Sequence, residues 1–439
     1  MTQRLVPDLV LTDAGWQSGR VVVVEAGRID ALEPVHRVWP SDVVLAGKAL
    51  LPGTVNAHGH TFQSLLRGLG DDLDFMGWRD RVLYPFSEKL DRRAIALGAT
   101  FAFAEMLLHG ATTCVDFFYL HDSGNENAEA VIDAARRVGI RLVLARGMYD
   151  WEGAPHRYRE TVADAARRTR ELIASHRHDA TALVQPAPHS PHGASPAMIR
   201  AGWEVAESEG TPFHIHVAEG RYEGERTLRE HGATPIRYLD RLGVLGPRMI
   251  GVHCVWLDDE EIACMGTRGA ALVHCPSSNM FLGDGIARVP ELLSAAVRVG
   301  LGTDGGCTNN RLSVFEEMRM ASLLQRVRLL DGSALDAGCA FAMGTRAGAS
   351  ILGLDAGVIE RGKLADLVAV SLDDPSLHPR TDLLRAVVYA MSSRAVSDVW
   401  VHGRQVVASG RLTTVDEHEL LARVAELTKG WSISTAAAC

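Results

Sequence analysis

Two histidine pairs with a one-residue spacer, His58-Gly59-His60 and His214-Ile215-His216, are groups able to hold a metal ion. The second is followed three residues later by a carboxylate, Glu219. Further along, His253, His274 and Asp304 each sit at the end of a short apolar run. Imidazole and carboxylate donors without a thiolate suit Zn²⁺ first, with Fe²⁺ or Mn²⁺ as alternatives. Such an ion lowers the pKa of a water toward ~7, which makes hydrolysis the natural chemistry. The spacing alone is weak evidence. With 18 histidines, chance supplies roughly one such triplet, and the chain has three. The third, His176-Arg177-His178, lies in a charged stretch and reads as a solvated surface pair.

The elements around the other two pairs give them meaning. Between residues ~50 and ~300, short apolar runs alternate with long helical stretches, the pattern of repeated βα units. Eight candidate strands cover 50–58, 111–119, 140–148, 180–188, 211–217, 249–255, 270–275 and 298–303. Amphipathic stretches such as Asp91–Leu97 and Asp258–Ile262 lie between them. Eight parallel strands with interleaved helices close into a (β/α)8 barrel, whose reactive groups belong at the C-terminal strand ends. The metal-competent residues fall there: His58-Gly59-His60, His189, His214 to Glu219, His253, His274 and Asp304. Alternation places His58 and His60 on one face, and His214 and His216 likewise. One histidine inside a barrel is often a satisfied core residue. Five of them with an aspartate at one rim would be uncompensated polar groups, so they predict a metal site. A two-metal centre would need a bridging carboxylate or carboxylated lysine between strands 3 and 5. No lysine lies between Lys89 and Lys363, which predicts one metal per chain.

Both termini read differently. The first ~50 and last ~80 residues form short alternating strands, such as Arg20–Glu25, Ala365–Val370 and Val399–Val407. Neither end alone can bury a core, so the two are expected to pair into one small β-sandwich domain. The expected division is 1–52 and 356–439 for the sandwich, with a C-terminal helix, and 53–355 for the barrel. The formal charge of −9 argues against a nucleic-acid or anionic-membrane partner. No apolar run approaches a membrane span, and Met1-Thr2-Gln3-Arg4 starts no signal-peptide core. Seven cysteines without a CxxC pair point to a reduced, cytoplasmic protein. A small-molecule substrate is the expected partner, with a homo-oligomer left open.

These residues resemble the amidohydrolase superfamily, in its mononuclear deaminase branch, over nearly the whole chain. The resemblance rests on Leu51-Pro52-Gly53 running into His58-Gly59-His60, on His216-Val217-Ala218-Glu219, and on His253-Cys254. It rests also on His274–Asn279, Gly302–Gly305 with Asn309-Asn310, and Gly357–Leu367. It implies His58, His60, His216 and Asp304 as metal ligands and Glu219 as proton shuttle, with His253 and Asp304 accepting and orienting the proton of the activated water. Glu219 would protonate a ring or imine nitrogen and then pass a proton to departing ammonia. The other zinc-deaminase architecture needs His-x-Glu and Pro-Cys-x-x-Cys, and neither occurs. No glycine fingerprint for NTP or NAD is present.

Substrate class is less constrained. Gln63 stands where guanine-deaminase-like and formiminoglutamate-deiminase-like members place a substrate-binding glutamine. Trp78-Arg79 and Tyr119 resemble a Trp-Arg pair and a strand-2 tyrosine of N-formimino-L-glutamate deiminases. His189 matches the family's strand-4 histidine. His192 stands where those deiminases have the arginine that grips a substrate carboxylate, a fork that histidine cannot reproduce. Asp304–Asn310 looks more like the S-adenosylhomocysteine/methylthioadenosine deaminases, although Trp256 replaces their second histidine after His253-Cys254-Val255. The leading expectation is hydrolytic deamination of an amino-substituted N-heterocycle of purine, pyrimidine, pterin or triazine type. An iminohydrolase of a formimino or guanidino compound is the alternative. A further one is a hydrolase expelling chloride, urea or carbamate, since the same chemistry serves all three. A non-enzymatic binding module is disfavoured because nothing in the constellation is missing.

Overall fold

The computed structural model describes residues 2–433. Its eight central parallel strands are β1 (Thr54–Asn56), β2 (Ala111–Phe118), β3 (Arg141–Met148), β4 (Ala182–Pro188), β5 (Phe213–Val217), β6 (Met249–His253), β7 (Ala271–His274) and β8 (Arg298–Leu301). β1 to β4 pair in sequence order as one sheet and β5 to β8 as another. Hydrogen bonds join both seams: His216 N to His189 O at 3.0 Å between β5 and the end of β4, and Ala57 N to Leu301 O at 2.8 Å between β1 and β8. At the rim, Gly59–His60 and Asp304–Gly305 extend the second seam as a short parallel pair. The strands are buried on both faces, as near-continuous apolar runs between helices require.

Local signals set the helices. Asp91 caps Arg92–Leu108 by accepting from Ala94 N. Asp258 and Glu261 form a reciprocal capping box on Asp259–Arg268, which Gly269 ends in the left-handed region. One correction concerns the first barrel strand. The expected 50–58 is two strands: Val43–Pro52 joins a sheet outside the barrel, and only Thr54–Asn56 enters it.

That outer sheet has nine strands and draws on both ends of the chain. Val43–Pro52 lies between Gln3–Thr12, parallel to it, and Leu367–Ser371, antiparallel. Leu5, Val22, Leu50, Leu367 and Trp400 share a core of their own, separate from the main one. The buried Arg141–Asp366 pair, at 2.7 and 3.0 Å, ties this sheet to β3. A helix, Glu417–Thr428, follows it, and residues 434–439 of the expected C-terminal segment lie outside the described residues. The reading of His176 as solvated is wrong. His176 is buried, with Nε2 3.0 Å from Glu129 and Nδ1 beside Arg136, while His178 is exposed. The charged context hid a helix end packed against its neighbour. Among the described residues, six cysteines are free and no helix is long and apolar enough to cross a membrane.

Candidate active site

The C-terminal ends of β1, β5, β6 and β8 deliver the groups that the sequence singled out. One ring nitrogen each from His58, His216 and His253 lie within 4.8 Å of one another, as do ligand atoms of His58, His60 and Asp304. His60 Nδ1 donates to Phe117 O on β2 at 2.6 Å, and His216 Nδ1 donates to His189 O at 2.9 Å. A carbonyl can only accept, so both Nε2 atoms keep their lone pairs for a metal. Asp304 Oδ2 accepts from Ser278 Oγ at 2.6 Å, turning Oδ1 toward His58 and His60, 3.4 and 3.5 Å from their Nε2 atoms. Gly302 makes this crossing fit, because a Cβ there would stand 2.8 Å from that of His58.

The backbone is strained where it turns out of the barrel. Ala218, His253, Cys254 and Asp304 all have positive φ, between 47° and 72°. Such residues persist only when their surroundings hold them, and they cluster at functional sites. Here Cys254 N bonds to Val217 O and Asp304 N to His58 O, at 3.0 and 3.1 Å.

These groups fit a divalent cation. Both ring nitrogens of His58 are fully buried without a hydrogen-bond partner. Burial lowers the imidazole of His58 to about 4 and also lowers His60, His216 and His253, so they are neutral at pH 7. Burial alone would raise Asp304, but His58, His253 and His60 around it hold its carboxyl far below the usual range. Neutral imidazoles beside an ionised carboxylate are the protonation states that a metal requires.

Glu219 lies beside this cluster, buried, with Oε1 3.5 Å from His253 Nε2. Burial, reinforced by Asp284, Asp304 and Glu223, pushes its carboxyl well above the ordinary value, which favours its protonated form. Its backbone N–H donates to Glu223 Oε2 at 3.0 Å, and His253 Nδ1 meets Asn279 Nδ2 at 3.1 Å.

Gln63, Trp78, Arg79, Tyr119, His189 and His192 all line one pocket, together with His60, His216, Glu219, His253 and Asp304. His58 is not among its lining residues. Gln63 Nε2 donates to Tyr119 OH at 3.0 Å, and Gly305 leaves the room it needs, since a Cβ there would fall 1.8 Å from Gln63 Oε1. Trp78 Nε1 donates to Cys307 Sγ at 3.3 Å. Arg79 is held by both oxygens of Asp80, at 2.7 and 3.1 Å. His189 Nδ1 is 2.9 Å from Ser190 Oγ, and its ring lies 4.2 Å from that of Tyr149. His192 Nδ1 is 3.9 Å from Glu223 Oε1.

Besides His58, two of the histidines singled out from the sequence stay out of the pocket wall. His214 bonds through Nε2 to Gln185 Oε1 at 2.7 Å and is a core residue, while His274 is fully buried with both ring nitrogens unpartnered. Sequence reasoning missed Glu223, Asp284 and the aromatic wall of Tyr84, Tyr149, Trp151 and Tyr158. The sequence carried no signal for Glu223, because Glu219 stands before the helix Arg221–His231 and the i,i+4 rule applies only within a helix.

Comparison with known proteins places this arrangement. A 5'-deoxyadenosine deaminase of Methanothermobacter thermautotrophicus is 36% identical over 432 residues, covering 95% of this chain and 97% of that one. A 5-methylthioadenosine/S-adenosylhomocysteine deaminase of Syntrophobacter fumaroxidans is 34% identical over 431 residues, 96% of each chain. Among solved structures, an adenosine deaminase from Xanthomonas campestris with bound zinc superposes with a TM-score of 0.91 at 30% identity, over 97% of both chains. An atrazine chlorohydrolase from Arthrobacter aurescens complexed with zinc shares the fold at a TM-score of 0.90 and 23% identity, over 97% of this chain and 99% of that one. The Amidohydrolase family model matches residues 49–406, so the chain belongs to the amidohydrolase family and is a TIM-barrel hydrolase of C–N bonds.

Proposed function

We propose that this protein is a zinc-dependent deaminase of a 6-aminopurine nucleoside, of the kind that names its relatives. The observation that carries the heterocycle reading is the state of the polar groups on the pocket wall. Gln63 presents a neutral amide anchored on Tyr119, whereas Arg79, the one arginine or lysine among the described lining residues, is already paired with Asp80. A formimino acid needs a free cationic fork for its carboxylate, and His192 faces Glu223 instead. Tyr84, Tyr119, Tyr149, Trp151 and Tyr158 give the pocket broad π faces suited to a flat ring.

His58, His60, His216 and Asp304 would hold the metal. A divalent ion bound there supplies Lewis acidity that makes water nucleophilic near neutral pH. Glu219 delivers a proton to the ring nitrogen adjoining the amino-bearing carbon, so that carbon accepts the nucleophile without building charge on the ring. His253, beside Glu219, orients the incoming water, and Asp304 takes its proton. Glu219 then takes the proton of the added hydroxyl as it becomes a carbonyl and passes it to the amine, which leaves as ammonia, and the proton held by Asp304 restores Glu219. Gln63 and His189 read the ring edge. The same reading has the terminal sheet as a composite β-sandwich on 1–52 and 356–439 around the barrel at 53–355, and places the enzyme in the cytoplasm.

Ammonia release tests it. Purified enzyme reconstituted with one equivalent of Zn²⁺ is expected to deaminate adenosine, 5'-deoxyadenosine or 5'-methylthioadenosine, and to leave N-formimino-L-glutamate and a chlorotriazine untouched. Turnover of the formimino acid or the triazine with none of the nucleosides defeats the proposal.

A further inference from the structure

Gln63 is the neutral amide on the pocket wall, and a buried thiol stands behind it. Cys307 Sγ lies 3.3 Å from Trp78 Nε1 on one side and 3.5 Å from Gln63 Oε1 on the other. At the far end of the amide, Gln63 Nε2 is 3.0 Å from Tyr119 OH. An indole N–H can only donate, so the sulfur accepts from Trp78. Burial pushes the Cys307 thiol up to about 12, so it keeps a proton of its own. That proton goes to Gln63 Oε1. Three hydrogen bonds therefore run one way, from Trp78 through Cys307 and Gln63 to Tyr119. Oε1 also lies against the backbone of Gly305, 1.8 Å from where a Cβ there would stand.

We infer that Cys307 is a positioning residue that locks the Gln63 amide with its NH2 group toward the substrate, so that this corner of the pocket selects a bare ring nitrogen of the purine. This rests on the nucleoside reading above. Gln63, Trp78 and Tyr119 all line the pocket, so the second Nε2–H belongs to the wall that a substrate meets. Turning the amide over would press its N–H groups on a sulfur that already receives Trp78, and would leave the thiol proton without an acceptor. Tyr119 works in the same sense. Burial holds its phenol well above the ordinary value, and its oxygen receives Gln63, so its own proton is left for a substrate acceptor. A ring N–H, a C–H or an alkylated nitrogen placed here would face donors and bind less well. A thiol is a weak donor, so losing it relaxes this selection without abolishing it.

The test uses the zinc-loaded enzyme with adenosine, 3-deazaadenosine and 7-deazaadenosine. Each analogue replaces one ring nitrogen by C–H and keeps the nitrogen that Glu219 protonates. In the parent, the analogue lacking the nitrogen read by Gln63 is expected to lose roughly 10- to 100-fold in kcat/KM. Comparing that penalty between variants cancels the altered reactivity of the ring. In Cys307→Ala it should shrink at least ~3-fold, through a higher KM for adenosine, while the penalty for the other analogue holds. Cys307→Ser puts a donor and acceptor back in the same place and should return the penalty to within ~2-fold of the parent. A mere packing defect in Cys307→Ala would lower kcat/KM for all three substrates together and leave their ratios alone. Unchanged ratios in Cys307→Ala, or a Cys307→Ser that relaxes them as far as alanine does, overturn the lock alone. So does equal kcat/KM for adenosine and both analogues in the parent. Absence of turnover on every adenine nucleoside overturns the lock together with the nucleoside reading.

Discussion

His60 and His216 are fixed by their own Nδ1 atoms, which donate to carbonyls at 2.6 and 2.9 Å on or beside neighbouring strands. Tyr149, Trp151 and Tyr158 reach the same pocket on a long connection after β3. That connection holds its shape through contacts among segments outside the strands. Glu160 N bonds back to Tyr149 O at 2.9 Å, Tyr158 OH donates to Ser87 Oγ at 2.6 Å, and Arg157 reaches the carbonyls of Ser87 and Leu90. Beneath it, Glu160 receives Arg146 at 2.8 and 2.9 Å and Arg168 at 2.8 Å. The end that carries the histidines and Asp304 is thus built from barrel geometry, and the aromatic wall of the pocket from a clamp of loops. Chemistry and specificity should fail separately.

The largest effect is expected at the metal end. His216→Ala removes a ligand and should lose the metal first, with activity falling ~10³-fold or more as the water is no longer activated. Elemental analysis of the purified variant, against one equivalent in the parent, checks this. A fully metallated but inactive His216→Ala would mean that His216 is no ligand.

The clamp gives the next largest effect, on stability rather than on metal content. Glu160→Gln leaves Arg146 buried without its counter-charge, which should cost about 3–5 kcal/mol in urea denaturation at pH 7. Burial pushes the Glu160 carboxyl up, but His121, Arg146 and Arg168 outweigh it and bring it down from 4.5 to about 2. A group depressed on folding contributes in full above its unfolded value. The gap between parent and variant should therefore hold above about pH 4.5 and close as the pH falls toward 2. A gap that widens on acidification contradicts the assignment.

Glu219→Gln separates proton transfer from metal binding. It should keep the metal and lose activity by ~10² or more, since the amide cannot shuttle a proton. Metal-free Glu219→Gln would make Glu219 a ligand instead.

The same contrast explains what the sequence disclosed. A period of two puts His58 and His60 on one face, and a strand end must present them, so residue type and spacing pointed to the cluster of histidines with Asp304 that the structure brings together. Glu219 was singled out by the family resemblance, at its place three residues after His216. Gln63 and Tyr119 lie on or next to elements that continue barrel strands, so their placement was legible too. Glu223 was not, because its role depends on a helix turn that folds its carboxylate under Glu219. Tyr149 and Tyr158 could be placed only once Arg146, Glu160 and Ser87 were known to hold their connection. His176 misled for the opposite reason: its charged neighbours suggested solvent, whereas Glu129 and Arg136 bury it in a polar contact between helices. Strand 50–58 misled because Leu50 and Leu51 belong to the terminal sheet, and periodicity does not say which sheet a strand joins.

The smallest expected effect is the most informative about the wall. Arg79 and Gln63 both line the pocket, yet their electrostatic situations differ. Arg79 spends its guanidinium on both oxygens of Asp80, so a substrate carboxylate would have to displace a pair already formed. Gln63 gives one N–H to Tyr119 and keeps a second for a ring edge. Gln63→Ala should therefore cost roughly 10- to 100-fold in kcat/KM, as a site built to hydrogen-bond a ring is left unpaired. Arg79→Met should stay within about 3-fold, the order expected when a partly exposed ion pair on the rim is removed. Steady-state kinetics of the two variants on one nucleoside decides between them. A large loss at Arg79 with indifference at Gln63 would show that the guanidinium leaves Asp80 to bind the substrate, and would overturn the assignment of the ring edge to Gln63.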